Sequence, residues 1–206
     1  MNSKRVISFV AVIGVAMSLA GCGYNNIPTK EANAQEKWSQ VQNEYARRAE
    51  LIPQLVATVK GEAANERTIL TDVINARASA TKVSVDASTI TDPDKFKQFQ
   101  QSQDGLSAAI GRLMVVQEQY PDLKSNQGFE TLLDQLEGTA NRVTVARQDY
   151  NEAAKDYNLS LVTFPSVVWA STIQSGHKPM QYFQATEAQQ ANPNVDFSDV
   201  GAPASH

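Results

Sequence analysis

The chain has 206 residues, of which 42% are hydrophobic, 19% charged and only 7% aromatic, with a formal net charge of −4. One domain with a real core fits that length, whereas an acidic chain without a basic block is a poor ligand for nucleic acid. The single cysteine, Cys22, excludes an intramolecular disulfide.

Residues 1–21 read as a signal peptide. Lys4 and Arg5 form a positive start, and Val6 to Leu19 is apolar apart from Ser8 and Ser18. Without Lys4 and Arg5 the chain keeps 16 basic against 22 acidic side chains, a net −6. The run ends Leu19-Ala20-Gly21-Cys22, which resembles the lipobox of bacterial lipoproteins. That resemblance implies cleavage between Gly21 and Cys22 and a covalent lipid on the Cys22 thiol. The other readings are an ordinary signal peptide with an accidental cysteine, or an uncleaved anchor. Against the anchor, an apolar run of 14 residues is short of the ~20 that a spanning helix needs. Residues 22–28 are then expected to be a tether.

A first helix is expected from Thr29, as its cap, to about Ala80. Trp38, Val41, Tyr45, Ile52, Leu55, Val59, Ala63, Leu70 and Val73 mark its stripe. Pro53 lies inside, and because the stripe keeps phase across it, a kink is expected rather than a stop. At ~1.5 Å per residue such a helix would be roughly 78 Å long. It would outreach its partners, so that some of it must project or be covered by the fourth helix; a projecting apolar stripe, including Trp38 and Val41, would be a site for another protein or for self-association. Thr81 to Ile90 lacks helical phase and is the first connection.

Asp92-Pro93-Asp94 is a strong helix start. The second helix presents Phe96, Phe99, Leu106, Ile110, Leu113 and Val116 and is expected to stop at Tyr120-Pro121. Ser125 can cap the third, whose stripe runs from Phe129 through Leu132, Leu136, Val143, Tyr150 and Tyr157 to Phe164. Over that span the helix is roughly 54 Å long. Gly138 inside it suggests that another backbone comes close. Pro165 opens a shorter fourth helix ending near Gly176. Tyr182 and Phe183 are the last residues expected to pack, and residues 186–206 read as a disordered tail. The fold class is all-α: an antiparallel up-and-down bundle of long helices over residues 29–185, three long and one shorter.

Several spaced motifs together resemble the LemA family. They are Arg47-Arg48 with Leu51-Ile52-Pro53-Gln54-Leu55-Val56 and Val59-Lys60-Gly61, then Tyr120 to Lys124, then Leu136-Glu137-Gly138-Thr139 with Asn141-Arg142. Ala146-Arg147 with Tyr150-Asn151 follows, then Tyr157-Asn158, Phe164-Pro165 and Tyr182-Phe183. The match runs from about residue 24 to 185. It implies a helical bundle on a membrane, outside the cytoplasm, with no established enzymatic activity. It also allows a link to membrane proteases, or to membrane organisation. Two departures are the lipobox in place of an uncleaved membrane helix, and Gly176-His177 where many members have Gly-Phe.

The inventory offers little catalytic chemistry. The two histidines, His177 and His206, build neither a nucleophile-base set nor a metal cluster; no metal and no cofactor beyond the lipid on Cys22 are expected. The candidate interaction residues are Arg47, Arg48, Arg142, Arg147 and Trp38. The arginines either cover core edges and pair with carboxylates such as Glu44 or Glu137, or form a patch for a partner or a lipid head group. Tyr150, Tyr157, Phe164, Trp169, Tyr182 and Phe183 read chiefly as core. The functional expectation is a lipid-anchored bacterial envelope protein on the cell membrane or outer membrane, facing the periplasm or exterior. It would act as a scaffold or adaptor for other envelope proteins, or else self-assemble as a membrane-organising protein.

Overall fold

The computed structural model describes residues 24–184 apart from 64, 84 and 85. The signal segment with Gly21 and Cys22, and the tail 186–206, lie outside the described residues. Among the described residues six helices follow one another: α1 (Asn26–Glu62), α2 (Arg67–Lys82), α3 (Pro93–Val116), the single-turn α4 (Pro121–Lys124), α5 (Gln127–Val162) and α6 (Ser166–Ser171). A 3₁₀ turn at Gln117–Gln119 links α3 to α4. The result is the expected all-α, up-and-down bundle, with no strand among the described residues.

α1 and α5 lie antiparallel along most of their length. Their register is marked by ion pairs from Arg142 to Glu44 (3.1 Å) and from Lys37 to Asp149 (3.7 Å). α2 folds back along the second half of α1, and α3 returns beside α2.

The first helix therefore differs from the expectation. It does not run on to Ala80; it ends at Glu62, and the chain reverses through 63–66. The Ala63 N–H reaches back to the Val59 carbonyl (2.7 Å), and the Glu66 N–H to that of Ala63 (3.1 Å). Ile52, Leu55 and Val59 on α1, Ala63 just after it, and Leu70, Val73 and Ala80 on α2 all face one core. The stripe keeps its phase across the break because two helices look into the same core from opposite directions. α1 also starts earlier than expected, at Asn26 without a side-chain cap. Ile27 is fully buried, so helix has already begun inside the stretch read as tether.

Pro53 sits within α1 without ending it. Having no N–H, it leaves the Ala49 carbonyl without its helical donor. Arg77 of α2 supplies one: its Nε donates to that oxygen at 2.8 Å. The proline that seemed to threaten the helix thus becomes the point where α2 is fastened to it.

The remaining boundaries need smaller corrections. Asp92 caps α3 as expected, its Oδ1 accepting from the N–H groups of Asp94 and Lys95. α3 gives way to the 3₁₀ turn at Gln117, before Tyr120. Asn126, not Ser125, caps α5, accepting from the Phe129 N–H at 3.1 Å. α6 stops at Ser171, before Gly176. No other backbone approaches Gly138: a Cβ there would meet only the Arg142 Nη1, at 3.7 Å.

The core has two parts. Towards the start of α1, Trp38, Tyr45, Phe96, Phe99, Tyr150, Tyr157 and Phe183 form an aromatic cluster with Ile27, Val41, Ile90 and Met180. Towards the α1–α2 reversal, Ile52, Leu55, Val59, Leu70, Leu106, Leu113, Leu123, Leu132 and Leu136 form an aliphatic cluster whose one fully aromatic member is Phe129. In the aliphatic part the section is four helices. In the aromatic part α2 has ended, and the fourth element is the extended segment 177–184.

Candidate functional site

Between the two clusters runs a polar waist. Arg48 of α1 is half-buried, and its Nη1 donates to the Ser107 hydroxyl at 2.8 Å. Its Nε is buried without an acceptor. Burial pulls the Arg48 guanidinium below its usual range, opposed by the nearby Tyr45 and Asp104. Burial likewise raises the Asp104 carboxyl, opposed by Arg147 and Arg48. It also raises the Tyr45 phenol, opposed chiefly by Arg147. Beside this waist, where α2 ends, lies a cavity of about 300 Å³ lined by Tyr45, Ala49, Ala80, Val83, Phe99 and Gln103 among others. Gln103 is buried there and its amide donates to the Ala80 carbonyl (3.2 Å).

Arg147 reaches the other side of the waist. Its guanidinium carbon lies 4.5 Å from the Phe183 ring centroid, a cation–π contact, and its Nη2 stands 3.5 Å from the Gln184 carbonyl. Arg142 is exposed and pairs with Glu44, one of the carboxylates expected for it. Arg47 is exposed on α1. The four arginines do not make one surface: two flank the waist and two face solvent. Trp38 needs a correction. The stripe expected to project is not there, because α1 ends at Glu62 and the C-terminal segment closes over its start. Trp38 is 3% exposed and Val41 fully buried. The Trp38 ring lies 5.2 Å from Phe99, 5.4 Å from Tyr150 and 6.0 Å from Phe183, centroid to centroid.

The best-defined polar geometry is the grip of two asparagines on the C-terminal segment, neither of which is among the candidate residues above. Asn151 and Asn158 lie seven residues apart on α5. The Asn151 amide donates to the Phe183 carbonyl (2.9 Å) and accepts from the Phe183 N–H (2.9 Å). Asn158 does the same with Met180, at 2.9 and 2.8 Å. Seven helical residues rise about 10.5 Å, and three extended residues span about the same distance, so both asparagines can grip one straight peptide. The Tyr150 hydroxyl donates to the Gln181 carbonyl (2.8 Å) and that of Tyr157 to the Lys178 carbonyl (3.2 Å). From the far side, the Gln181 N–H donates to the Ile90 carbonyl (2.7 Å). The signal in the sequence was the repeated Tyr-Asn at heptad spacing, Tyr150-Asn151 and Tyr157-Asn158.

Of the other aromatic residues, Phe183 packs as expected, Tyr182 is 38% exposed, and Phe164, expected in the core, is 83% exposed because α5 has ended at Val162. His177 faces Glu31, Nδ1 to Oε2 3.0 Å. Among the described residues, no group of three or more His, Cys, Asp or Glu side chains could hold a metal ion, and no helix is long and apolar enough to cross a membrane.

Comparison with known proteins gives this bundle its relatives. Magnetosome protein MamQ 2 of Paramagnetospirillum magneticum (strain ATCC 700264 / AMB-1) is 27% identical over 204 aligned residues, covering 91% of this chain and 74% of the relative. Magnetosome protein MamQ of Magnetospirillum gryphiswaldense (strain DSM 6361 / JCM 21280 / NBRC 15271 / MSR-1) is 26% identical, covering 91% and 73%. The profile of the LemA family matches residues 37–197, a span that takes in the waist, the Tyr-Asn repeat and the segment it grips, and the chain belongs to the LemA family.

Proposed function

We propose that this protein is a lipid-anchored, non-catalytic scaffold of the bacterial cell envelope that holds other envelope proteins at the membrane, a membrane protease among the candidate partners. The observation that carries this reading is Leu19-Ala20-Gly21-Cys22 standing directly ahead of a bundle whose first helix begins at Asn26. Acyl chains on Cys22, at about 0.8 kcal/mol per buried CH₂, would hold such a bundle on a bilayer. Membership of the LemA family and relatives named as magnetosome proteins support a role at a membrane. The described surface is one of long helix faces and an in-chain peptide grip, which suits holding rather than turnover.

The test is crosslinking in intact cells followed by pull-down of the lipidated protein and identification of what accompanies it. Recovery of one dominant envelope protein supports the scaffold. Recovery of the protein alone favours the second reading, self-assembly into a membrane-organising structure. Cys22→Ser is expected to release the protein from the membrane fraction; retention of that variant would sink the lipid anchor.

A further inference from the structure

We propose that the end of the bundle formed by the start of α1, the end of α5 and α6 is a bilayer-contacting face, and that the Tyr24–Trp169 pair and the apolar side chains around it dip into the lipid interface. This rests on the reading of Cys22 as a lipid anchor.

Three observations converge on that end. The first is exposure. Ten large hydrophobic side chains are exposed among the described residues, and six of them are Tyr24, Leu159, Val162, Phe164, Val168 and Ile173. Phe164 is 83% exposed, Val162 69% and Ile173 68%. Contacts bring these segments together. The Asn26 amide donates to the Ser166 hydroxyl (2.8 Å), that of Gln174 donates to the Tyr24 carbonyl (3.1 Å), and the Tyr24 and Trp169 rings meet edge to face at 5.7 Å.

The second is charge. From Asn158 to Gly176 the chain carries no Asp, Glu, Lys or Arg, in a protein that is 19% charged. A solvent-facing helix end and loop have no need of that purity. A surface pressed on lipid does, because charge is costly to carry into the interface, whereas Tyr and Trp favour that depth.

The third is reach, which selects lipid over a protein partner. Tyr24 follows Cys22 by two residues, a span of at most about 7 Å. A bundle tied that closely to a lipidated residue has this face against the head groups, with no gap for a folded partner. The apolar face then acts as a shallow interfacial contact beside the acyl chains.

The experiment uses the mature lipidated protein in vesicles of phosphatidylethanolamine and phosphatidylglycerol containing brominated acyl chains, which quench tryptophan on contact. The two tryptophans divide the signal: Trp38 lies in the core and Trp169 on the proposed face. The expected result is loss of the Trp169 share of the emission, and disappearance of that quenching in Trp169→Phe. Val162→Asp with Phe164→Asp, both at exposed positions, is expected to abolish the quenching while the protein stays in the vesicle fraction and keeps its helical circular dichroism. An unquenched Trp169 on a protein whose Cys22 peptide carries lipid by mass spectrometry overturns this proposal and leaves the anchor standing. Quenching without lipid on Cys22 keeps the face and overturns the anchor. A photocrosslinker at position 164 that captures protein in place of lipid also overturns the proposal.

Discussion

The two parts of the bundle reach a buried core by different means. The aliphatic part is four helices that share a core rich in Leu, Ile and Val; their backbones are satisfied chiefly within each helix, with side chains from neighbouring helices meeting the Ala49 and Ala80 carbonyls. The aromatic part has three helices and an extended segment. Such a segment cannot satisfy its own backbone, so α5 answers with Asn151, Asn158, Tyr150 and Tyr157, and the α2–α3 connection with Ile90. Large rings fill the core between these elements. Where a helix is replaced by a strap, the lost backbone ladder is rebuilt from side chains. Residues that look unremarkable in a helix, asparagines above all, become structural.

The largest expected difference between the two parts comes from core truncation. Trp38→Ala should destabilise the protein by about 3–5 kcal/mol, and it should also loosen the strap, because the ring supports Phe183. Leu113→Ala, in the aliphatic part, should cost about 2–5 kcal/mol and leave the strap in place. Hydrogen exchange at the Met180 and Phe183 amides, beside denaturant midpoints, separates the two; equal loosening by both variants would mean the parts are not distinct.

Removing the grip itself should matter next. Asn151→Ala and Asn158→Ala each delete two hydrogen bonds to the strap backbone and should each cost about 1–3 kcal/mol. Amides of α2 should keep their protection. Global unfolding at that cost, with no prior opening of 178–184, would refute a separable strap.

Alkaline pH offers a third way to divide the parts. Burial raises Tyr157 from the usual 10.0 to about 12 and raises Tyr150 further; Tyr45 is raised as well. In the unfolded chain these phenols ionise near 10, while in the fold they hold their protons. Above pH 10 the unfolded state thus binds fewer protons, and stability falls as pH rises towards 12. All three belong to the aromatic part, so strap amides should lose protection first. Denaturant midpoints between pH 8 and 11.5 for the wild type and Tyr150→Phe check the sign; a flat profile would contradict it.

Two smaller effects probe the waist and the α5 surface. Arg48→Met exchanges a half-buried cation with an unsatisfied Nε for an apolar chain of similar reach, and should shift stability by less than about 1 kcal/mol. A large loss would make Arg48 a keystone of the fold. Gly138→Ala should stabilise by about 0.5–1 kcal/mol, since the added Cβ meets only the end of Arg142; thermal denaturation reads it directly.

The fold class was legible because three or four residues separate apolar positions along most of the chain, and because Asp92-Pro93 and Tyr120-Pro121 punctuate it. The reversal at 63–66 was not. Its turn signals, Asn65 and the preceding Gly61, are isolated, and the seven-residue step from Ala63 to Leu70 imitates an unbroken helix. The same step hid the role of Pro53, whose effect is met by Arg77, a residue 24 positions away. The arginines were legible as residues near the seam, and Arg142 found Glu44. The strap was not legible as a strap, because a two-asparagine grip on a backbone depends on a peptide distant in sequence. Trp38 was read onto a projecting stripe for the same reason: its cover comes from Phe183.

The way the two parts draw on the chain also orders their assembly. Every buried member of the aliphatic cluster lies between residues 52 and 136, so that cluster can close while the later chain is still being made. The aromatic cluster needs Ile27 from the first turn of α1 and Phe183 from the last described residues. Its contacts are among the most distant in sequence, the kind that form late. The end of the molecule that emerges first is therefore the last to be finished, and until Phe183 arrives the growing chain is a half-built bundle with an open aromatic seam.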